Sequence, residues 1–208
     1  MGKIEDSTAW SNKGIALGKL KKHEEAIACF DEAIKIYPEE PTARYNKGVS
    51  LDLLERHEEA IACYDKAIKI AEHPSGWYNK GNALYLLLRH EEAIACYDKA
   101  IKLNPEHASA WYNKGNALIK LGKFEEAIVC FDEAIKLNPE DPETWYDKSV
   151  SLDLLERHEE AIACFDEAIK LNPEDPETWY NKGVSLEKLG RDEEAEQCFT
   201  KAKELEES

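Results

Sequence analysis

A histidine followed by two glutamates is the first feature of this sequence that could perform chemistry. The segment HEEAI begins at His23, His57, His90 and His158. It matches the first two residues of the H-E-x-x-H pattern of zinc enzymes, but no copy has the second histidine. The copies belong to different repeating units, so their histidines cannot share one metal at ligand distances of about 2 Å. Phe124 stands in the same place in another unit, so we expect packing at a turn between helices, with no metal, no cofactor and no catalytic centre.

Cysteines are the second candidates, and they recur every 33 or 34 residues, at Cys29, Cys63, Cys96, Cys130, Cys164 and Cys198. Packed helices lie about 8–10 Å apart, whereas a disulfide needs Cα atoms within about 7 Å. Equivalent cysteines of adjacent units are therefore too distant to pair. We predict buried thiols, a use of cysteine that suits the reducing cytoplasm.

A lysine also recurs in every unit, at Lys13, Lys47, Lys80, Lys114, Lys148 and Lys182. One interpretation is that its aliphatic stem packs against the neighbouring unit while the ammonium group reaches solvent. The other is that the ammonium lies near a cysteine and activates its thiolate.

All of these residues belong to one sequence repeat of about 34 residues. It reads WSNKG at Trp10, RYNKG at Arg44, WYNKG at Trp77, Trp111 and Trp179, and WYDKS at Trp145. In each unit an alanine, an aromatic and a second alanine follow, such as Ala127, Phe131 and Ala134. This resembles the tetratricopeptide repeat, the W-x2-LG-x2-Y…A-x3-F…P pattern of paired helices. The resemblance covers roughly residues 7 to 208 and implies an all-α fold, a right-handed α-solenoid of six helix-turn-helix units.

The predicted organisation is a lead-in at 1–6 and a single array at 7–208. Its repeats are 7–40, 41–73, 74–107, 108–141, 142–175 and 176–208. The second repeat is one residue short and ends in AEHP, where we expect a small change in twist. In the last repeat Glu196, Gln197 and Lys203 replace apolar residues, so this repeat is predicted to act as its own C-terminal cap.

A glycine four places after the Trp position, such as Gly115, falls inside the first helix of five repeats. Glycine there costs about 1 kcal/mol relative to alanine. This cost indicates that a neighbouring helix crosses very close. Ser149 replaces the glycine in the fifth repeat and should loosen that contact slightly.

Charge limits the partners. The chain has 27 Lys and Arg against 43 Asp and Glu, a net charge of −16. Phosphate backbones and anionic membranes attract clustered basic residues, so we expect neither nucleic acid nor membrane as a partner. A protein or peptide partner, favoured if basic, fits this charge, and simple solubility is the alternative. There is no apolar run of 18 residues and no hydrophobic signal core, so we expect a cytoplasmic protein, monomeric or weakly self-associating.

The resemblance implies that the first helices line a concave groove. Two places after the Trp position stand Asn12, Asn46, Asn79, Asn113, Asp147 and Asn181. This row resembles the asparagine ladder of the O-GlcNAc transferase superhelix, which holds extended peptides by their backbone. A carboxamide suits that task because it can donate to a peptide C=O and accept from an N–H. The alternative is that asparagine is merely the commonest residue of a well-formed repeat.

Other groove positions differ between repeats. Tyrosines such as Tyr78 and Tyr112 stand one place after Trp and offer apolar area with a hydroxyl. Neutral residues are predicted in the third and fourth repeats, at Asn82, Tyr85, Asn116 and Ile119. An acidic groove is predicted in the last two, at Glu143, Asp147, Asp153, Glu177 and Glu187.

The sequence therefore predicts a non-catalytic scaffold that binds an extended or helical peptide segment of a partner in its groove. The alternative is an engineered or recently duplicated array, structural or self-associating, with no dedicated ligand. Near-identical segments, such as SLDLLERHEEAIAC at Ser50 and Ser151, favour that alternative. A third possibility is a substrate-recruiting arm of an enzyme.

Overall fold

The computed structural model describes residues 2–207, and within that range it contains twelve α-helices and no strand. Short turns join each odd-numbered helix to the helix after it, so the prediction of six helix pairs in an all-α fold is confirmed. The helices are α1 Gly2–Lys19, α2 His23–Ile36, α3 Pro41–Asp52, α4 His57–Ile70, α5 Pro74–Leu86, α6 His90–Leu103, α7 Ala108–Lys120, α8 Phe124–Leu137, α9 Pro142–Leu154, α10 His158–Leu171, α11 Pro176–Lys188 and α12 Asp192–Glu206.

These helices form two compact units. The first unit ends at Pro105 and holds α1 to α6, and the second begins at Glu106 and holds α7 to α12. Inside each unit the second helix of a pair packs against the first helix of the next pair. Helix α1 begins at Gly2, so residues 2–6 of the predicted lead-in are helical.

Close packing within each pair explains the glycine of the first helix. A Cβ atom at Gly115 would lie 2.6 Å from Cε1 of Phe131, and Gly48 meets Tyr64 in the same way. This is far shorter than an ordinary van der Waals contact, so a side chain there would displace the aromatic ring. The predicted close approach is therefore present. In the fifth pair Ser149 is fully buried, and its hydroxyl donates to the carbonyls of Trp145 and Tyr146.

The second helices begin with a recurring ion pair. Arg56 donates two hydrogen bonds to Glu59, and Arg191 does the same to Glu194. These glutamates also lie in the first turn, where the helix dipole favours negative charge. They stabilise the starts of these helices.

None of the helices described between residues 2 and 207 combines the length and the apolar character needed to cross a membrane.

Candidate functional site

The predicted asparagine ladder is bound into the repeats by tyrosine hydroxyls. The Nδ2 atom of Asn79 donates to the hydroxyl oxygen of Tyr45 over 2.8 Å, and Asn181 donates to Tyr146 over 2.9 Å. Each bond joins a carboxamide to the tyrosine of the preceding repeat. One amide hydrogen is therefore already used, and the carboxamide is held in a fixed orientation.

At two positions of the row there is no such pairing. The first repeat has Ser11 where later repeats have tyrosine, and Asn46 instead donates to the carbonyl of Thr42 in its own helix over 2.9 Å. Asn12 is exposed on α1. A ladder asparagine is thus oriented across repeats only where a tyrosine precedes it.

At Asp147, in the second unit, the direction of this hydrogen bond is reversed. Its carboxylate accepts hydrogen bonds from Tyr112 and Asn116, where an asparagine would donate to the tyrosine. Burial raises the pKa of Asp147, and the nearby charge of Glu143 raises it further, against the lowering effect of these hydrogen bonds. The site holds a carboxylate in surroundings that disfavour its charge.

Three of the predicted acids lie around one pocket of about 360 Å³ in the second unit. We call it the acidic pocket, and its walls include Glu143, Asp147, Asp175, Glu177, Tyr112 and Tyr146. The hydroxyl of Tyr146 donates to Oε1 of Glu177 over 2.7 Å while its oxygen accepts from Asn181. Asp175 was absent from the predicted site, although it stands in the same PEDPE segment as Glu177.

Asp153, predicted as a groove acid, is instead an internal hydrogen-bond acceptor. Its oxygens are 2.7 Å from Nδ1 of His158, 2.8 Å from the hydroxyl of Ser185 and 2.6 Å from Nζ of Lys188. Burial alone would raise its pKa, but the hydrogen bonds from Lys188, Ser185 and His158 together lower it. Only 16% of this side chain is exposed, and its oxygens already bond three neighbouring side chains. Glu187 is exposed, and neither acid lines the acidic pocket.

The predicted neutral positions are tied to neighbouring side chains. Asn82 accepts a hydrogen bond from Tyr97 over 2.9 Å, and the ring of Tyr85 packs 5.1 Å from that of His90. Ile119, Tyr78 and Asn113 are half-buried on the same first helices.

A second pocket, of about 290 Å³, lies in the first unit and was missed by the sequence analysis. We call it the neutral pocket, and its walls include Pro41, Tyr45, Ile68, Ala71, Ser75 and Gly76. No Asp, Glu, Lys or Arg is among the described residues that line it. The sequence feature at this pocket is the short second repeat that ends in AEHP, from which we expected only a change in twist.

Most of the recurring lysines form ion pairs with an aspartate of the preceding repeat. Nζ of Lys47 lies 2.5 Å from Asp31 of the preceding repeat, and Lys182 lies 2.6 Å from Asp166. Several also lie over the ring of the Trp three places earlier, such as Lys80 at 5.5 Å from Trp77. Such cation–π contacts contribute roughly 0.5–1 kcal/mol at exposed sites.

The hypothesis that these lysines activate the thiols is contradicted at Cys63, Cys96, Cys164 and Cys198, where burial raises the pKa of the thiol. Burial raises the pKa of Cys96 to about 11, and the opposing charge of Lys80 is weaker. Burial likewise raises the pKa of Cys164 against the effect of Lys148. All six cysteines are thiols, five of them buried and Cys63 half-buried.

Charge is distributed very unevenly. Residues 1–105 contain 15 Lys and Arg and 17 Asp and Glu, a net charge of −2, while residues 106–208 contain 12 and 26, a net charge of −14. The negative field of the chain therefore originates almost entirely in the unit that holds the acidic pocket.

Comparison with solved structures places this fold among several repeat proteins. YrrB, described as a TPR protein with an unusual peptide-binding site, is 26% identical with a TM-score of 0.72, covering 81% of this chain and 88% of that one. PilF of Pseudomonas aeruginosa is 21% identical with a TM-score of 0.78, covering 96% and 90%. MamA of Desulfovibrio magneticus RS-1 is 21% identical with a TM-score of 0.76, covering 81% and 96%. The last two likenesses concern the fold alone.

Two family models match the sequence, whereas a search of curated proteins found no significant match. The model of the Cilia and flagella-associated protein 70 C-terminal domain matches residues 39–207, and the Tetratricopeptide repeat model matches residues 7–40. The chain therefore belongs to the tetratricopeptide repeat family, and the Cilia and flagella-associated protein 70 C-terminal domain model covers most of its length.

Proposed function

We propose that this chain is a non-catalytic scaffold that binds a peptide segment of a partner protein along its first helices. The observation that carries the proposal is the acidic pocket beside Tyr146 and Asn181, where a row of oriented polar groups meets a cavity. The likeness to YrrB supports it, because that protein is described as having a peptide-binding site.

The oriented carboxamides supply the backbone contacts. Nδ2 of Asn79 and of Asn181 already donates to a tyrosine. The carbonyl oxygen of each carboxamide then accepts from a peptide N–H, and the remaining amide hydrogen donates to a peptide C=O. Within each unit, adjacent first helices lie roughly 10 Å apart, which matches about three residues of extended chain at about 3.3 Å each.

The acidic pocket supplies specificity for a basic side chain. Glu143 and Glu177 are exposed and can face a Lys or Arg side chain beside the rings of Tyr112 and Tyr146. The large negative charge of the second unit draws cationic ligands toward it, and this attraction falls as salt shortens the Debye length to about 10 Å at 0.1 M.

Selection from a random peptide display library against the purified full chain tests the proposal. We expect enrichment of peptides that carry Lys or Arg and bind more weakly as salt rises. Replacing both Asn79→Ala and Asn113→Ala should then weaken binding, because each hydrogen bond contributes roughly 0.5–1.5 kcal/mol. Gln197→Ala, which removes an exposed carboxamide from a second helix, is the matched control and should change nothing.

Failure of the selection to enrich any peptide would contradict the proposal and favour a duplicated or engineered array without a ligand. The near-identical segments at Ser50 and Ser151 are the observation behind that alternative. The proposal also includes a cytoplasmic location, which suits six thiols, a monomeric or weakly associating chain, and no nucleic acid or membrane partner. Sedimentation velocity and binding assays with DNA and anionic vesicles test the last three points.

A further inference from the structure

The neutral pocket of the first unit and the acidic pocket of the second occupy equivalent places in their repeats. Pro41, Tyr45 and Ala67 in the first correspond to Pro142, Tyr146 and Ala168 in the second. Charged residues distinguish the acidic pocket, because Glu143 and Glu177 stand there at the positions of Thr42 and Ser75 in the neutral pocket. The neutral pocket is thus a separate site with its own chemistry.

Two residues near the short exit of the second repeat make the wall of this pocket less polar than the same place in other repeats. Ala71 stands where the third, fourth and fifth repeats have asparagine, such as Asn172. Gly76 stands where the last two repeats have Thr144 and Thr178. A Cβ atom at Gly76 would lie 3.0 Å from Cγ1 of Ile68, so the space beside Ile68 depends on this glycine.

A hydrogen-bond donor stands at the edge of the neutral pocket. The oxygen of Tyr45 accepts from Asn79, and no acceptor for its own hydroxyl hydrogen occurs among residues 2–207. In the acidic pocket the equivalent Tyr146 donates that hydrogen to Glu177. The hydroxyl of Tyr45 can therefore donate to a carbonyl oxygen of a bound ligand.

We propose that the neutral pocket takes one aliphatic side chain of the size of leucine from the bound peptide, while Tyr45 donates to a peptide carbonyl beside it. This inference rests on the proposed peptide-binding function. Complementarity of charge carries it, because the pocket has no charged wall and its unit has a net charge of only −2. Its volume of about 290 Å³ lies near the lower limit of pockets for drug-sized molecules, roughly 300–1,000 Å³, and leaves room for a single side chain.

The test uses the full chain with three capped amino acids as probes: N-acetyl-leucine, N-acetyl-serine and N-acetyl-lysine, each as its N-methylamide. Methyl-labelled NMR spectra follow Ile68 during each titration. We expect the leucine probe to shift the Ile68 signal with about tenfold higher affinity than the serine and lysine probes, because only it buries apolar surface.

Two substitutions restore the residues of other repeats, Gly76→Thr and Ala71→Asn. Threonine beside the equivalent isoleucine already occurs at Thr144 and Thr178, and Ala71 is exposed, so both variants should fold. Each should reduce binding of the leucine probe about tenfold. Equal shifts with leucine and serine, or unchanged leucine binding in a folded Gly76→Thr variant, would overturn the inference.

Competition with selected library peptides separates this inference from the proposed function. Peptides that bind and displace the leucine probe support both. Peptides that bind without displacing it overturn the inference and leave the scaffold function standing. If no peptide is enriched, the proposed function fails and this inference falls with it.

Discussion

The neutral pocket beside Tyr45 and the acidic pocket beside Tyr146 are built on the same frame. In both, a first helix begins with proline and places a tyrosine that accepts a hydrogen bond from the next asparagine. The difference lies in residues around the start of the first helix, of which Glu143 and Glu177 are exposed and Gly76 is buried. Repeat packing therefore fixes where a pocket forms, while a few positions at the helix start set the chemistry of its wall.

Part of the difference in charge between the units has the same origin. PEDPE occurs at Pro139 and Pro173 and supplies acids at the joins between repeats of the second unit. The corresponding joins of the first unit read PEEPT at Pro38 and AEHPS at Ala71. The PEDPE segments hold six acids and the corresponding segments of the first unit hold three, so these joins supply three of the nine additional acids of the second unit.

The largest expected effect is on folding stability. It concerns Asp153, which does not line the acidic pocket and bonds side chains of its own and the next repeat. Asp153→Ala should lower the free energy of unfolding by about 1–3 kcal/mol, because Lys188, Ser185 and His158 lose their common acceptor. Urea denaturation followed by circular dichroism measures this. Glu187→Ala, at the equivalent place in the last repeat, is the control and should stay within about 0.5 kcal/mol.

The difference in stability between the wild type and Asp153→Ala should also depend on pH. The pKa of Asp153 is lowered in the folded protein, so its stabilising contribution is present above the unfolded pKa, near 3.9. It is lost as pH falls through the lower folded pKa. The gap between the wild type and Asp153→Ala should therefore close in acid, and a constant gap would show that lost packing causes the effect.

The second prediction exchanges the chemistry of the two pockets. Glu143→Thr with Glu177→Ser gives the acidic pocket the residues of the neutral one, and we expect about tenfold weaker binding of basic peptides, or 1.4 kcal/mol. The remaining affinity should depend less on salt. Fluorescence anisotropy with labelled library peptides measures both effects.

The reciprocal change, Thr42→Glu with Ser75→Glu, should increase the affinity of the first unit for the same basic peptides. A library that returned mainly acidic or neutral peptides would contradict the role of the acidic pocket. It would instead favour the neutral positions Tyr78 and Asn82 of the first unit.

The third prediction concerns the turns within the helix pairs. The first unit places Lys21, Glu55 and Leu88 at a φ near +60°, whereas the second has Gly122 and Gly190 at two of its three turns. A side chain in this conformation costs roughly 1–2 kcal/mol, and glycine avoids most of that cost. Leu88→Gly should therefore raise the free energy of unfolding by about 1 kcal/mol, while Gly122→Ala should lower it by a similar amount. Thermal and urea denaturation would detect opposite signs, and equal signs would contradict the argument.

The fold could be predicted from the sequence because the residues of each core contact recur in five or six repeats. Gly115, Ala127 and Phe131 identify a helix pair without any knowledge of its neighbours. The site was less predictable, since its geometry depends on residues about 34 positions apart. The sequence marked Asn79 as a groove residue but could not show that its amide donates to Tyr45.

Asp153 illustrates the limit more sharply. Its position in the repeat predicted contact with a ligand. In the structure, Ser185 and Lys188 of the next repeat donate hydrogen bonds to its carboxylate. In the last repeat no further repeat follows Glu187 within the described residues, and that side chain is exposed. Position in the repeat therefore predicts the location of a side chain better than it predicts what that side chain binds.

The smallest expected effect comes from Asp147, the one acid in the asparagine row. Asp147→Asn restores the carboxamide of the other repeats, so that Nδ2 can donate to Tyr112 as Asn181 donates to Tyr146. Burial raises the folded pKa of Asp147, so the folded state disfavours its charge above that pKa. At pH 7 the substitution should stabilise the protein, on the order of 0.5–1 kcal/mol for the improved hydrogen bonding and the removed charge.

The pH dependence of this variant should be opposite in sign to that of Asp153→Ala. With a raised folded pKa, the folded state binds the proton more tightly than the unfolded state, so the stability of the wild type rises as pH falls through the folded pKa toward the unfolded value. The advantage of Asp147→Asn should therefore shrink in acid, because the wild-type carboxyl becomes neutral too. Urea denaturation between pH 7 and pH 3 measures the difference, and Asp166→Asn, at an exposed ion-paired aspartate of the same unit, is the control. If the stability advantage of the variant instead grew in acid, the folded protein would be stabilising Asp147 as a charged carboxylate.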